Sequence, residues 1–408
     1  MKHVLHVMGG MQGGAAESTL TIINALKAKG IKSSIYLFER SSDKTPQKYL
    51  DAVYGRVEKG PLYIWVKHRK PFFSRVVGEM YYLQSTKFLY GSTGRIVKFA
   101  KQVEADVITS AAAVYPDAAI AAMRLGLPHI WHIRELFGQQ HEYFPKWFWK
   151  FGFAKKIQKS GYPINNSRFT QNVLFASDTT SVVVNNAIDL ESLSVLRAQY
   201  PMETNTVHTF GVVAGGVKWK RHDFVLDAAH ILKKHAHQFK LLLIGIDESK
   251  AGVHSDNVLA IQQKIQDLDL ADCVFIHGKE PTSTRVFEKL DVLVHAATEE
   301  SFGRVYYEAG AAARPVIACD SIAARELIQN GVNGYLVDPN DPKEMASKMQ
   351  FFLDRDNVIL YGQQGAEVID RNCSSEVLLN QMLEHYHKAA KRPVKAPMSF
   401  LRALWACI

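Results

Sequence analysis

Glu300 and Glu308 stand eight residues apart in the run Glu300-Ser301-Phe302-Gly303-Arg304-Val305-Tyr306-Tyr307-Glu308. The run follows Val292–His295, a short apolar stretch of the kind that makes a buried strand. A helix is expected to begin at Arg304, so one carboxylate sits on the loop and the other about a turn inside the helix, both directed at one cavity. The first amides of a helix lack partners within it and lie at its positive end, which suits a diphosphate there. Glu308 is of the type that accepts hydrogen bonds from a vicinal diol such as a ribose. Two glutamates at a helix start otherwise serve as dipole partners and solvated charges.

Two further places carry chemistry. The first strand, His3–Met8, runs into Gly9-Gly10-Met11-Gln12-Gly13-Gly14, where Gly13 and Gly14 let backbone amides approach an anion just before a helix. The spacing matches neither the dinucleotide fingerprint nor the Walker loop, so a tight turn and a phosphate-approach loop both remain open. Trp131-His132-Ile133-Arg134-Glu135 ends a later strand. His132 is there either a core histidine or a group at the strand's carboxyl end, and Arg134 and Glu135 either pair with each other or meet substrate.

Positioning these groups requires alternating strands and helices. Short apolar runs at His3–Met8, 34–38, 106–110, His129–Ile133, Tyr162–Asn165, 182–184, 209–213, 240–244, 273–276, Val292–His295 and Val316–Cys319 read as buried parallel strands. Helical patterns at 16–29, 116–125, 224–235, 258–268, 304–313, 322–330 and 343–352 alternate with them. The series restarts after a polar stretch near residue 200. The expected fold is α/β: two facing, Rossmann-like, doubly wound parallel-sheet domains with an interdomain cleft, where such sheets take ligands. The expected division is 1–200, 207–370, and a crossover helix with a basic-aromatic tail at 371–408.

Composition narrows the class. The chain has 408 residues, 47% hydrophobic and 22% charged, which excludes a disordered chain. No run is long and apolar enough for a spanning helix, the N-terminus lacks a signal-peptide layout, and Cys273, Cys319, Cys373 and Cys407 show no CxxC spacing. A cytoplasmic location without a disulfide framework or zinc site is expected. The net charge of +9 is patchy: 66–101 holds eight Lys or Arg against Glu79 alone. The segment 141–156 puts seven aromatics beside four lysines. Core packing, a membrane interface and single-stranded nucleic acid all suit such segments. Peripheral contact with an anionic inner membrane face is the preferred reading, and nucleic acid is not expected. The tail reads as an amphipathic anchor or as a helix folded back on the first domain.

The run Glu300-Ser301-Phe302-Gly303 followed by Glu308-Ala309 resembles the E-x7-E signature of retaining, nucleotide-sugar-dependent glycosyltransferases of the family-4 GT-B type. Glu326, the segment Asn330–Val337 and Asn186-Ala187-Ile188-Asp189 extend the likeness, with Ala187 where that family has glycine. The resemblance implies a nucleoside-diphosphate-sugar donor and a hydroxyl acceptor, lipid-linked or an oligosaccharide, with transfer at retained anomeric configuration. It implies no resident cofactor and no metal. By position Lys220 matches the family lysine, while the family arginine falls on Ala214 or Gly215, leaving Lys218 or Arg221 as substitutes. Lys218, Ser301, Phe302, Gly303, Arg304 and Glu308 then face the donor, and Glu300 meets the transferred sugar. His132 hydrogen-bonds the sugar or the acceptor, with Arg134 and Glu135 on the acceptor side. A polysaccharide, lipopolysaccharide or glycolipid is the expected product. The rivals are a same-fold sugar-nucleotide epimerase and a non-catalytic membrane or nucleic-acid binding module.

Overall fold

The computed structural model describes all residues except 12–13, 39–44, 65, 69–81, 138–142, 146–151, 176–180, 187–190, 199–207, 236–237, 247–254, 373–374, 393–395 and 408. The chain divides into two compact units, residues 1–188 with 378–408 and residues 189–377. The division thus falls at 188/189 and 377/378, and the tail is part of the first unit instead of a separate segment.

In the first unit the described strands are β1 (His3–Met8), β2 (Lys32–Phe38), β3 (Val57–Gly60), β4 (Val66–His68), β5 (Val107–Ser110), β6 (His129–Ile133), β7 (Tyr143–Pro145), β8 (Tyr162–Asn165) and β9 (Val182–Val183). Seven form a parallel sheet in the order β3-β2-β1-β5-β6-β8-β9, and β4 pairs antiparallel with β7. β1 is buried at every position, as a central strand covered on both faces must be. It pairs His3 with Lys32 on one side and Val4 with Val107 on the other.

The second unit contributes β10 (His208–Val213), β11 (Phe239–Ile244), β12 (Val274–His277), β13 (Val292–His295), β14 (Val316–Cys319) and β15 (Gly334–Val337). They make a parallel sheet in the order β12-β11-β10-β13-β14-β15. Its core joins Phe210, Val212, Leu241, Leu243, Val292, Val294 and Ile317 to helix residues such as Phe224, Leu232 and Met345. Numbered within the unit this is the 3-2-1-4-5-6 order of a doubly wound sheet, whose strand order reverses between β10 and β13. The loops leaving those two strands carry Lys220 and Glu300.

Two features depart from the sequence reading, and the tail follows one of its two alternatives. β3 carries Glu58 and Lys59 and escapes an apolar-run criterion because it is an edge strand. Residues Tyr82–Gln102 form one helix, burying Leu89, Ile96 and Phe99 and exposing Lys87, Arg95, Lys98 and Lys101. Core packing therefore accounts for one face of this helix, while Phe88 and Tyr90 stay exposed beside its basic residues. The parts at 69–81, 138–142 and 146–151 lie outside the described residues. Lastly, the tail folds back: Met382, Leu383 and Tyr386 of helix Ser375–Ala390 pack with Val4, Ile130 and Ile164. Phe400 and Leu404 of helix Phe400–Cys407 pack with Trp131 and Phe153, leaving Leu401 and Trp405 exposed. Among the described residues no helix is long and apolar enough to cross a membrane. Cys273, Cys319 and Cys407 are buried free thiols, and Cys373 is outside the described set.

Candidate active site

The site is assembled by the turn after β10 and the loop after β13. β10 ends at Val213, and the chain passes through Ala214, Gly215 and Gly216 into a single 3-10 turn, Lys218–Lys220. Arg221 follows in the left-handed conformation (φ 54°) and caps helix His222–Lys234. Its guanidinium donates to the Pro339 carbonyl and lies over the Phe224 ring, which holds a backbone shape that a branched side chain would resist. Arg221 is thereby committed to structure, whereas Lys218 is exposed. Of the two substitutes for the missing arginine, Lys218 is exposed and Arg221 is half-buried with one nitrogen on the Pro339 carbonyl.

β13 ends at His295, and the loop through Glu300 enters helix Arg304–Ala311 at Gly303. Gly303 has φ +70°, and a Cβ there would stand 2.4 Å from the Tyr306 ring, so both the backbone and the packing require glycine. No side chain caps this helix start. The Tyr306 amide donates to the Gly303 carbonyl, while the amides before it, at Arg304 and Val305, lie at the helix's positive end. Phe302 is buried and stacks on Tyr307 with ring centroids 4.4 Å apart, forming the floor beside these amides. Ser301 is half-buried on the same loop.

Lys220 and Glu300, eighty positions apart, form an ion pair between Nζ and Oε2. Both are largely buried, with side chains 14% and 15% exposed. Burial pushes the Glu300 carboxyl up, but Lys220 and His295 outweigh it and hold the group at about 2. Lys220 Nζ also lies 3.9 Å from the centre of the Trp219 ring. Glu308, on the first turns of the helix, is buried and accepts from Ser283 Oγ and from Arg304 Nε, each at 2.7 Å and both at Oε1. Lys220, Glu300, Arg304 and Glu308 thus gather where the sheet order reverses, together with the uncapped helix start.

Two histidines of this cluster were not singled out from the sequence. His295 is fully buried, and its Nε2 lies 3.5 Å from Glu300 Oε2. His222 opens its helix with both ring nitrogens unpartnered, and burial, helped by His295 and Lys220, depresses it to about 4. His295 ends a strand, the same signal that drew attention to His132. Ser283 had no signal, because it reaches Glu308 from a helix twenty-five residues away.

The residues expected in the first unit have other partners. His132 is buried and its Nε2 hydrogen-bonds the Tyr386 hydroxyl at 2.8 Å, tying β6 to the returning C-terminal helix. Arg134, expected either to pair with Glu135 or to meet substrate, is held by other groups. It is 8% exposed, and its guanidinium donates to the carbonyls of Ala15 and Ala111, to Thr19 Oγ1 and to Ser18 Oγ. Glu135 does not pair with Arg134 through side chains; its Oε2 accepts the backbone amides of Ala113 and Arg134. A buried guanidinium must meet its donors locally, and here they fasten the start of the first helix to the sheet. Gly14 opens that helix at the surface, and Gly13 is outside the described residues. Among the described residues no three His, Cys, Asp or Glu side chains gather as a metal-holding group.

Residues 203–364 match the family described as "Glycosyl transferases group 1", a span that takes in Lys220, Glu300 and Glu308. The chain is 24% identical over 243 residues to a poly(ribitol-phosphate) alpha-N-acetylglucosaminyltransferase of Staphylococcus aureus (strain COL), covering 58% of this chain and 47% of that protein. It is also 24% identical over 212 residues to the capsular polysaccharide biosynthesis glycosyltransferase CapM of Staphylococcus aureus, covering 50% and 54%. The chain spans about half the length of the curated relatives it matches. Among solved structures it is similar to Anabaena Alr3699/HepE in complex with UDP, with a TM-score of 0.70 and 20% identity over 95% of this chain and 100% of that one. That likeness shows the fold: two Rossmann-like parallel-sheet α/β domains of the GT-B class.

Proposed function

We propose that the protein is a glycosyltransferase that moves a sugar from a nucleoside-diphosphate sugar to a hydroxyl acceptor. The observation that carries this reading is the cluster of Lys220, Glu300 and Glu308 around an uncapped helix start, inside the span matched by group 1 glycosyltransferases. The helix amides and Lys220, with Lys218 at the rim, take the diphosphate. Glu308, with Oε1 engaged by Ser283 and Arg304, offers Oε2 to the ribose hydroxyls. Phe302 and Gly303 pass beneath the phosphate and sugar. Glu300 meets the sugar, whose ring gains positive character as the nucleoside diphosphate departs. Cationic and amide groups fixed before the reaction favour that departure, because the negative charge grows on the leaving phosphate.

Transfer with retention of anomeric configuration fits this arrangement, the leaving phosphate taking the acceptor proton, with no metal or resident cofactor assigned a step. We assign the acceptor to a lipid-linked or oligosaccharide hydroxyl in a cytoplasmic polysaccharide or glycolipid route, in keeping with the cell-surface glycan names of the relatives. The exposed Trp405, Leu401 and Tyr90 beside basic residues suit contact with an anionic membrane face. The test is release of nucleoside diphosphate from UDP-, GDP- and ADP-sugars with and without glycan acceptors, run beside Glu308→Ala. One donor is expected to turn over, and the variant to bind it roughly ten- to a hundredfold more weakly, the range for losing a hydrogen-bonded charged group. Turnover of no donor, or wild-type affinity in the variant, overturns the assignment.

A further inference from the structure

His295 is the buried titratable group that the proposed transfer leaves without a task. It closes β13 at 1% exposure, and neither ring nitrogen has a hydrogen-bond partner. Its Nε2 is 3.5 Å from Glu300 Oε2, the same oxygen that meets Lys220 Nζ. The other groups facing it are His222 from the neighbouring helix start and Tyr306, whose ring stands edge-on at 5.2 Å and 89°. One ammonium group therefore shields Glu300 when the site is empty. Under the proposed function, that same group must face the diphosphate when the site is filled. Glu300 is too buried to be left as a lone carboxylate, a state that an interior strongly penalises.

We propose that His295 takes over Glu300 when a nucleoside diphosphate draws Lys220 away. The ring accepts one proton from solvent, and its Nε2–H then donates to Glu300 Oε2. One N–H bond forms on the ring as the bond between that proton and its hydronium or buffer donor breaks, and no covalent bond of the protein is broken. The charge facing Glu300 is preserved, since an imidazolium arrives as an ammonium leaves. In the empty site burial and the nearby Lys220 charge keep the imidazole neutral, against the pull of Glu300. Once Lys220 has turned away, Glu300 is the chain's remaining charge acting on the ring, and the diphosphate's negative charge pulls in the same direction. His222 is neutral near pH 7, and burial holds the Tyr306 phenol protonated. Binding of the diphosphate is thereby coupled to proton uptake, and the pair is reset when it leaves. The relay rests on the reading of Lys220 as the diphosphate's cation.

Calorimetric titration of the full chain with UDP, GDP and ADP at pH 7, in three buffers of different ionisation enthalpy, counts the protons exchanged. The ligand's own phosphate proton contributes equally to the wild type and to His295→Asn, so the difference isolates the ring. The wild type is expected to take up about one proton more than the variant. Equal counts with both proteins binding overturn the relay and leave the site reading intact. Binding of none of the three overturns the site reading and the relay with it. As a check that does not depend on the asparagine variant, Lys220→Met with 13C-labelled histidine should show the His295 ring titrating at higher pH than in the wild type without ligand. An unchanged titration overturns the relay.

Discussion

Each unit buries a carboxylate, and the two groups behave in opposite ways. Glu300, in the second unit, faces the Lys220 ammonium and is held at about 2. Asp117, in the first, opens helix Asp117–Leu125 at zero exposure and meets only neutral donors, Ser92 Oγ and the Tyr63 amide. Burial dominates there and pushes the group up to about 7. Neutral hydrogen bonds satisfy the oxygens of a buried acid without repaying the desolvation of its charge, whereas a cation does both. Asp117 is therefore a peg that fastens the Tyr82–Gln102 helix and the chain near Tyr63 to its own helix. Glu300 is a standing charge, ionised and paired with Lys220.

The comparison breaks most sharply if the cation is removed. Lys220→Met should lower the rate of donor turnover by about 10²–10³, the usual cost of losing one fixed group that stabilises charge in the transition state. The readout is single-turnover release of nucleoside diphosphate at saturating donor. Stability should fall much less than for an orphaned buried charge, because His295 stands 3.5 Å away to share it. A variant with wild-type turnover would mean that the paired lysine in the second unit is as structural as Asp117.

Removing the peg tests the other side. Asp117→Ala removes the Asp117 acceptor of the Tyr63 amide and leaves the Ser92 hydroxyl only the Leu89 carbonyl, and should cost about 1–3 kcal/mol in urea unfolding, with turnover unchanged. Loss of activity at unchanged stability would assign Asp117 a role in the chemistry.

The sequence shows the two sheets and the second-unit site far better than it shows the first-unit network. Val292–His295 and Val316–Cys319 are legible because a strand covered on both faces must be apolar throughout, and both occupy the expected residues. Glu300, Glu308 and Gly303 are legible because they lie within one loop-helix unit with fixed local spacing. The Lys220–Glu300 pair joins positions eighty apart, and only the strand order brings them together. The partners of Arg134 were illegible for the same reason: Ala15, Ser18 and Thr19 are more than a hundred residues away. The Tyr82–Gln102 helix was hidden by composition. Its lysines and arginines drew attention to charge, although Leu89, Ile96 and Phe99 already repeat with a helical period.

The smallest expected effect is a difference in the pH dependence of the two units. Glu300 has a folded value below that of an unfolded glutamate, near 4.3, so its contribution is complete above that value and is lost as pH falls toward about 2. Asp117 has a folded value above that of an unfolded aspartate, near 3.9, so its contribution is complete below that value and is lost as pH rises through about 7. Hydrogen exchange of peptides from each unit, followed from about pH 2 to pH 8 after correction for intrinsic rates, separates the two. Protection in the Asp117–Leu125 helix should weaken toward pH 8, and Asp117→Asn should flatten that slope. Protection around Arg304–Ala311 should show no such loss toward pH 8, and Glu300→Gln should remove its decline at the acid end. If both helices weakened in the same direction, the cation beside Glu300 would not be what separates the two carboxylates, and the contrast between peg and standing charge would fall.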